Sequence, residues 1–218
     1  MKILALDAVT EACSAALYID GDSRQRYAVA PREHTRLMLP MVDALLGEAD
    51  LTLADLDLIA FDRGPGSFTG IRITLSVVQG LAFATDLPVL PVSSLAALAQ
   101  AAYRQRQADS VLSLIDARMG ELYWAYYQWQ GDRMQLQGDE QVSRLSAIPV
   151  SPEAHLFGSG VAAWGEALRQ HGFTHLNDET ALRYPRAEYI GELAAVSPEL
   201  AGTVEAAQPV YLRNKVTG

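Results

Sequence analysis

The sequence predicts an α/β fold in which one structural unit is used twice. Residues 3–8 and 110–117 are both apolar strands that end in Asp-Ala, and each is followed by a short turn and a second strand. A Gly-Asp pair then marks a hairpin turn in both places, at residues 21–22 and 131–132, before a further strand. These three features recur in the same order, which indicates an internal repeat of about 110 residues. The alternative is chance, because a strand followed by Asp-Ala and another strand is a common pattern.

Each element of the predicted unit has its own signal in the sequence. Alternating apolar residues bounded by turn residues predict strands, whereas apolar stripes at three- and four-residue spacing predict helices. Ser67 or Thr69, and Ser93 or Ser94, stand where helix N-caps are expected. The predicted strands are residues 3–6, 12–19, 25–29, 57–61, 87–92, 110–116, 122–127, a strand from 133 onward, and 155–158. The predicted helices are residues 35–47, 69–85, 94–106, 162–171 and 186–196, with a terminal segment at 209–213.

Composition places the chain among globular proteins and limits its partners. Half of its 218 residues are hydrophobic, and its formal net charge is −9, with two lysines in total. An acidic surface repels phosphate backbones, so a nucleic acid would have to be held by a partner. The single cysteine, Cys13, excludes an internal disulfide. No signal sequence or membrane-length apolar run is expected, and the cytoplasm is the expected compartment.

The most distinctive stretch is the glycine-rich sequence of residues 63–72, Arg-Gly-Pro-Gly-Ser-Phe-Thr-Gly-Ile-Arg. It joins a predicted buried strand to a predicted helix. Glycine permits positive φ and the close approach of another group, and a helix N-terminus attracts anions. One interpretation is a turn that faces a phosphate, and the other is a strand–helix turn that needs small residues for packing. The stretch matches neither a Walker loop nor a dinucleotide fingerprint.

The helix predicted at residues 35–47 carries more apolar surface than a single core contact needs. Its two adjacent stripes are Leu37, Met41 and Leu45, and Met38, Val42 and Leu46. This face is either partly exposed for a partner helix or wholly buried, and the pattern does not distinguish the two. In the first case, either Met38 or Met41 points outward. Methionine suits an adaptable contact surface.

The duplicated unit resembles the actin, hexokinase and Hsp70 ATPase (ASKHA) clan, whose fold contains two ribonuclease H-like subdomains with mixed sheets. In that clan, an aspartate ends the first strand of each subdomain, and the two turns face each other across a nucleotide cleft. The resemblance puts Asp7 and Asp116 in these positions and the turn at residues 158–160 beside the adenosine. It implies subdomains at residues 1–108 and 109–218.

Four segments resemble the TsaB (YeaZ) family, a bacterial subunit of the machinery that makes tRNA N6-threonylcarbamoyladenosine (t6A). The segments are residues 3–16, 63–72, 116–125 and 209–213, and residues 34–41 fit as well. Together they span nearly the whole chain. The second and third are specific motifs, whereas the first is shared across the clan. The turn Asp7-Ala8-Val9 departs from the family's usual Asp-Thr-Ser, which removes two hydroxyl groups that could face a phosphate.

The family resemblance implies a noncatalytic scaffold or activator that pairs with the catalytic relative TsaD and engages TsaE. The isolated chain is expected to form a homodimer, to contact tRNA only through the complex, and to contact no membrane. No cofactor is expected in the isolated chain, and ATP or ADP is considered only for the complex. The implied weak or vestigial nucleotide cleft comprises Asp7, Thr10, Gly64, Gly66, Asp116, Gly158 and Gly160. The implied partner interface comprises His34, Leu37, Met38, Met41, Leu45, Arg72, Ser76 and Gly80.

Neither catalytic nor metal-binding residues are expected. TsaD carries a His-x-x-x-His metal pair after a Pro-Val strand end, and matching that point to residues 91–92 puts Ser94 and Leu98 at the two positions. A leucine has no atom that can bind a metal. His171 and His175 have i, i+4 spacing, but the glycine between them predicts a helix end. Each histidine is therefore expected at the surface or at a cap.

The competing hypothesis is a stand-alone ATPase or small-molecule kinase of the same clan. Such an enzyme would need Asp7 and Asp116 to position magnesium and phosphates. The altered turn at residues 7–9 and the lack of a lysine to clamp phosphates count against it. ATP turnover by the pure chain, compared with turnover after TsaD and TsaE are added, distinguishes the two hypotheses.

Overall fold

The computed structural model describes residues 1–213 and confirms the duplicated α/β architecture. The first half contains β1 (Lys2–Asp7), β2 (Ala12–Ile19), β3 (Asp22–Val29), α1 (His34–Glu48), β4 (Leu58–Asp62), α2 (Phe68–Thr85), β5 (Val89–Val92) and α3 (Ser94–Arg106). The second half contains β6 (Ser110–Asp116), β7 (Leu122–Gln130), β8 (Arg133–Ser143), β9 (His155–Phe157), α4 (Ser159–His171) and α5 (Ala187–Ala195). The end of the predicted second subdomain, residues 214–218, lies outside the described residues.

The two sheets share one strand order, which is the structural sign of the repeat. The first sheet has the order β3-β2-β1-β4-β5 and the second β8-β7-β6-β9. In the first sheet, β1 pairs antiparallel with β2 and parallel with β4. In the second sheet, β6 pairs in the same way with β7 and β9. Within the described residues, the second half has no counterpart of α1, and a single bridge between Leu156 and Leu176 stands where the first half has β5. The second unit is a shorter version of the first.

The elements form five layers because both faces of each sheet are buried. α1 and α2 cover the outer face of the first sheet, and α4 covers the outer face of the second. α3 and α5 lie between the sheets and share one hydrophobic core with both. In β1, Ile3 and Ala5 belong to this central core, whereas Leu4 and Leu6 belong to the outer one. Burial on both faces explains why β1 is apolar at nearly every position.

The two central helices are exchanged between the halves, which the predicted boundary at residue 108 did not anticipate. α3 precedes that boundary but packs on β6, β7 and β8, whereas α5 follows it and packs on β1, β2 and β4. Beyond α5, Gly202 bridges to Val89 at the edge of the first sheet. The N–H of Val210 then donates to the carbonyl of Arg63 at 3.1 Å. Residues 1–108 and 109–218 each contribute one sheet, but neither segment contains all the helices that cover its own sheet.

Local sequence signals account for most helix ends. Ser67 caps α2 by accepting the N–H of Gly70 at 3.3 Å, and Ser93 caps α3 by accepting the N–H of Leu95 at 3.1 Å. α4 begins earlier than predicted, at Ser159, because the preceding Gly158 adopts φ +111° and turns the chain directly from β9 into the helix. Such a φ value is available to glycine and strained for other residues.

α2 differs from the other described helices in its hydrophobic length. Its 18 residues have a mean hydropathy of 1.2, enough by length and composition to span a bilayer, although the core helix of a globular protein passes the same test. The predicted inner face is buried on the first sheet and includes Ile71, Leu75, Val78 and Ala82. Only 33% of the helix is buried in the described structure, so apolar side chains also reach its outer face.

Candidate functional site

The glycine-rich loop of residues 63–72 packs directly against the turn that follows β1. A Cβ atom on Gly66 would lie 2.4 Å from the carbonyl oxygen of Val9, and one on Gly70 would lie 2.1 Å from that of Ala8. The N–H of Ser67 donates to the Val9 carbonyl at 2.6 Å. These contacts leave no room for larger side chains, and the chain's own backbone covers this face of the loop. They support the packing interpretation of the loop over the phosphate-binding one.

The other three glycines assigned to the nucleotide cleft also face protein. A Cβ atom on Gly64 would meet the side chain of Ile71 at 2.9 Å. In the second half, a Cβ on Gly158 would lie 2.1 Å from the carbonyl oxygen of Leu114, and one on Gly160 would lie 2.8 Å from the Leu114 Cβ. These glycines let a loop or helix start approach the neighbouring elements, which gives them a packing role. Their assignment to a nucleotide site stays a prediction.

Asp7 ends β1 as predicted but is sealed from solvent. It is fully buried, and its Oδ1 accepts the N–H of Val9 at 3.0 Å. Asp62 ends the neighbouring parallel strand β4 and is also fully buried. Its Oδ1 accepts the N–H of Gly64 at 2.7 Å and the hydroxyl of Ser94 at 2.6 Å. Within the described residues, neither Oδ2 atom has a hydrogen-bond partner. Sequence reasoning missed Asp62, whose signal was its place at the end of the strand beside β1.

The two buried carboxyl groups resist ionisation. Burial raises the pKa of Asp7 well above its usual value, and the charge of Asp62 raises it further. Burial also raises the pKa of Asp62 to about 7, although hydrogen bonds from Ser94 and Gly64 act to lower it. A carboxyl group that keeps its proton is a poor ligand for magnesium. The nearby Cys13 has its pKa raised to about 12 by burial and by Asp7, so its thiol is not a nucleophile at neutral pH.

An open cleft of about 860 Å³ nevertheless lies between the two halves. Among the residues assigned to a nucleotide, Thr10, Gly66 and Asp116 line it. Arg118 joins the two sides, because its guanidinium lies 2.7 Å from a Glu11 oxygen and 3.1 Å from an Asp116 oxygen. Other arginines and tyrosines in the wall were not singled out from the sequence: Arg32, Tyr123, Arg183, Tyr184, Tyr211 and Arg213. An ion pair with Arg118 therefore already engages Asp116, the second aspartate that the resemblance placed at the cleft.

The structure corrects part of the predicted partner interface on α1. Met38 and Leu45 are packed in the core of the first half, with 0% and 1% of their surfaces exposed. His34 is buried as well, and its Nε2 lies 3.0 Å from the carbonyl oxygen of Thr10. These three residues cannot contact a partner unless the fold opens. Of the two predicted stripes, only Leu37 and Met41 are half-buried and reach the surface. Leu39, which is 47% exposed, belongs to neither stripe.

An apolar surface does remain on the outer side of α1 and α2, which are neighbours on the first sheet. Phe83 is 81% exposed, and sequence reasoning missed it together with Leu39. Phe83 lies three residues after Gly80 and seven after Ser76, so the helical period was the available signal. The term α1/α2 face is used below for the half-buried or exposed residues Leu37, Met41, Arg72, Ser76, Gly80 and Phe83.

The two positions that the family resemblance matched to a metal pair are occupied by core residues. Ser94 and Leu98 lie on α3 and are both fully buried. Residues 1–213 contain no group of three or more His, Cys, Asp and Glu side chains placed to hold a metal. In the same range, the hydrogen bonds of the His34 and His171 rings go to backbone carbonyls and not to a serine or cysteine. That the purified chain lacks a metal like that of TsaD remains a prediction.

The fold defines a protein with the duplicated architecture of the ATPase clan, in which the aspartates that end β1 and β4 are buried. A family model matches residues 26–197 and agrees with this class. It is described as TsaD, tRNA N6-adenosine threonylcarbamoyltransferase. The match covers the whole second sheet and, in the first sheet, the end of β3 together with β4 and β5.

More specific similarity extends over nearly the whole chain. The tRNA threonylcarbamoyladenosine biosynthesis protein TsaB of Escherichia coli (strain K12) is 41% identical over 99% of this chain and 96% of its own. The protein of the same name from Haemophilus influenzae is 39% identical over 100% and 95%. A solved structure of YeaZ from Pseudomonas aeruginosa is 44% identical and superposes with a TM-score of 0.87 over 97% of this chain and 99% of that one. The chain belongs to the TsaB (YeaZ) family.

Proposed function

We propose that this chain is a noncatalytic, cytoplasmic subunit in tRNA N6-threonylcarbamoyladenosine biosynthesis that pairs with TsaD and engages TsaE. Family membership supports the pathway. The observation that carries the pairing is the α1/α2 face, where Phe83 is 81% exposed and Leu37 and Met41 are half-buried. Clustered exposed apolar residues mark protein contact sites on soluble proteins. The homodimer and the pair with TsaD use this same face and therefore exclude each other.

Gly80 supports a close helix–helix contact on this face. It lies inside α2, where glycine costs roughly 0.5–1 kcal/mol relative to alanine. A Cβ atom at Gly80 would meet no other atom within 4 Å, so the chain's own packing does not require the glycine. Ser76, one turn earlier, is also small and exposed. Small residues here leave room for the backbone of a partner helix.

The buried carboxyl pair supports the noncatalytic part of the proposal. A clan enzyme presents an ionised aspartate to magnesium and phosphate, whereas Asp7 is fully buried beneath the glycine-rich loop. Asp116 is engaged by Arg118. ATP or ADP is therefore assigned to the complex rather than to this chain. The net charge of −9 supports indirect contact with tRNA, which the partners hold.

Reconstitution tests the proposal. Full-length chain, TsaD, TsaE, tRNA, ATP and threonylcarbamoyl-adenylate are combined, and modified adenosine is measured by mass spectrometry after nuclease digestion. We expect modification in the complete mixture, a large loss when this chain is omitted, and no ATP turnover by the chain alone. Size-exclusion chromatography should show a heterodimer with TsaD.

Two results would contradict the proposal. If TsaD and TsaE are equally active without this chain, it is not a subunit of the system. If the pure chain hydrolyses ATP or phosphorylates a small molecule, and Asp7→Asn abolishes that activity, the stand-alone enzyme hypothesis is correct. The mixture with Asp7→Asn in place of the wild type serves as the internal control, because the proposal assigns Asp7 no catalytic role.

A further inference from the structure

Two histidines lie side by side on the second half, away from the α1/α2 face and outside the central cleft. The parallel bridge between Leu156 and Leu176 sets the preceding residues, His155 and His175, next to each other. Their ring centroids are 4.8 Å apart, and the ring planes differ by 21°. His155 is half-buried and His175 is exposed, so solvent reaches the pair. The i, i+4 spacing in the sequence set His175 beside His171, whereas in the fold its neighbour is His155, 20 positions earlier.

The ring nitrogens of this pair differ from those of the other two histidines in their hydrogen bonding. His34 and His171 each place Nε2 3.0 Å from a backbone carbonyl oxygen. No such hydrogen bond forms at the rings of His155 and His175 among residues 1–213. Neutral imidazole is the form that binds metal ions.

We propose that His155 and His175 form a surface site for a divalent ion of the Zn²⁺, Ni²⁺ and Cu²⁺ class. Imidazole is a preferred ligand of these ions, whereas Mg²⁺ and Ca²⁺ prefer oxygen. The terminal side-chain torsion of histidine is soft, so both rings can turn until one nitrogen from each points to a common centre. Because no third metal-ligating side chain joins the pair among the described residues, water completes the coordination and the ion exchanges readily.

Titration with Ni²⁺ tests this site in the full-length chain after treatment with a chelator and its removal. Isothermal titration calorimetry at pH 7.5 should give about one equivalent for the wild type. His155→Ala and His175→Ala should each weaken binding roughly tenfold or more, since one imidazole is lost. Binding should also weaken as the pH is lowered, because protons compete with the metal ion for the ring nitrogens. His171→Ala is the matched control, and its affinity should equal that of the wild type.

Paramagnetic broadening of histidine ring signals in NMR spectra should locate the Ni²⁺ ion at His155 and His175 and leave the His34 signals sharp. The proposal is overturned if the double variant His155→Ala, His175→Ala binds Ni²⁺ as tightly as the wild type, or if His171→Ala loses as much affinity as either single variant. Circular dichroism confirms folding, and His155→Gln provides a second variant of similar bulk. Pairing with TsaD is measured separately, so failure here leaves the proposed function untouched.

Discussion

At the scale of single residues, burial decides which chemistry a side chain can perform. Asp7 has the residue type and strand-end position that enzymes of the clan use, yet it is fully buried beside an equally buried Asp62. The two carboxyls end adjacent parallel strands, and both Oδ2 atoms lack a hydrogen-bond partner within the described residues. Ionising both would place two like charges in the core. The pair is therefore most stable when it holds at least one proton.

The pH dependence of folding tests this carboxyl pair. Since the folded-state pKa of both groups is raised, the folded chain keeps protons that the unfolded chain releases above about pH 4. The free energy of unfolding should therefore fall between about pH 5 and 8, by on the order of 2 kcal/mol. Asp62→Asn should flatten this dependence and raise stability at pH 8. Urea unfolding at each pH measures both effects.

The exposed Asp139 supplies the control for this experiment. Asp139→Asn should keep the slope of the wild type, because that carboxyl lies in water. A wild-type chain that gains stability from pH 5 to 8, or an Asp62→Asn variant with an unchanged slope, would show that the pair does not hold a proton in the folded state.

At the scale of elements, α2 serves two contacts at once. Its inner face, which includes Ile71 and Val78, is buried on the first sheet. Its outer face presents Phe83 and Gly80 to solvent in the isolated chain. A charge on the inner face would penalise folding, whereas a charge on the outer face penalises only a complex that desolvates it. The same distinction applies to α1, where Met38 faces the core and Met41 is half-buried at the surface.

Substitutions on the α1/α2 face test the partner surface. Phe83→Asp and Met41→Asp should leave a folded monomer whose affinity for TsaD falls roughly thirtyfold or more, about 2 kcal/mol, because the complex would bury an unpaired carboxylate. Calorimetry measures the affinity, light scattering the homodimer, and circular dichroism the fold. Met38→Asp should instead unfold the chain, since Met38 is fully buried.

Leu136→Asp provides the matched control for these variants. Leu136 is also exposed, at 41%, but it lies on β8 of the second sheet. This variant should bind TsaD with the affinity of the wild type. If Phe83→Asp and Met41→Asp stay folded and bind TsaD like the control, the partner surface lies elsewhere on the molecule.

At the scale of the whole molecule, exchange of α3 and α5 ties the halves into one cooperative structure. Both helices bury side chains in the central core, which also contains residues of both sheets. Ile190 on α5 is fully buried in this core. Gly191 brings the helix close to β1 and β2, because a Cβ atom there would lie 3.3 Å from the Tyr18 Cβ and 3.5 Å from the Ala5 Cβ. We therefore expect the two halves to unfold together.

Truncation of Ile190 tests this coupling, because the chain carries a separate probe in each half. All three tryptophans lie in the second half, at residues 124, 129 and 164, whereas the buried Cys13 lies in the first. Ile190→Ala should lower the free energy of unfolding by about 2–5 kcal/mol, and Ile190→Val by about 0.5–1.5 kcal/mol. Tryptophan fluorescence and Cys13 labelling should give the same urea midpoint in each variant. Separate midpoints would show that the halves unfold independently.

The sequence by itself determined the local elements, the repeat and the family. Strand alternation, helical stripes, and the caps at Ser67 and Ser93 are short-range properties, so they could be read without knowing what lies opposite them. The inner face of α2 was predicted for the same reason. The family followed from motifs of contiguous residues, such as 63–72 and 116–125, whose order along the chain needs no three-dimensional information.

Only the tertiary structure decided what each site residue faces. That Gly66 meets the backbone of Val9, that Met38 points inward, and that His155 lies beside His175 depend on contacts between distant segments. The exchange of α3 and α5 is of the same kind, because a helix of given amphipathicity can cover either sheet. A sequence pattern specifies that a face must be buried, but the partner that buries it is selected by the packing of the whole chain.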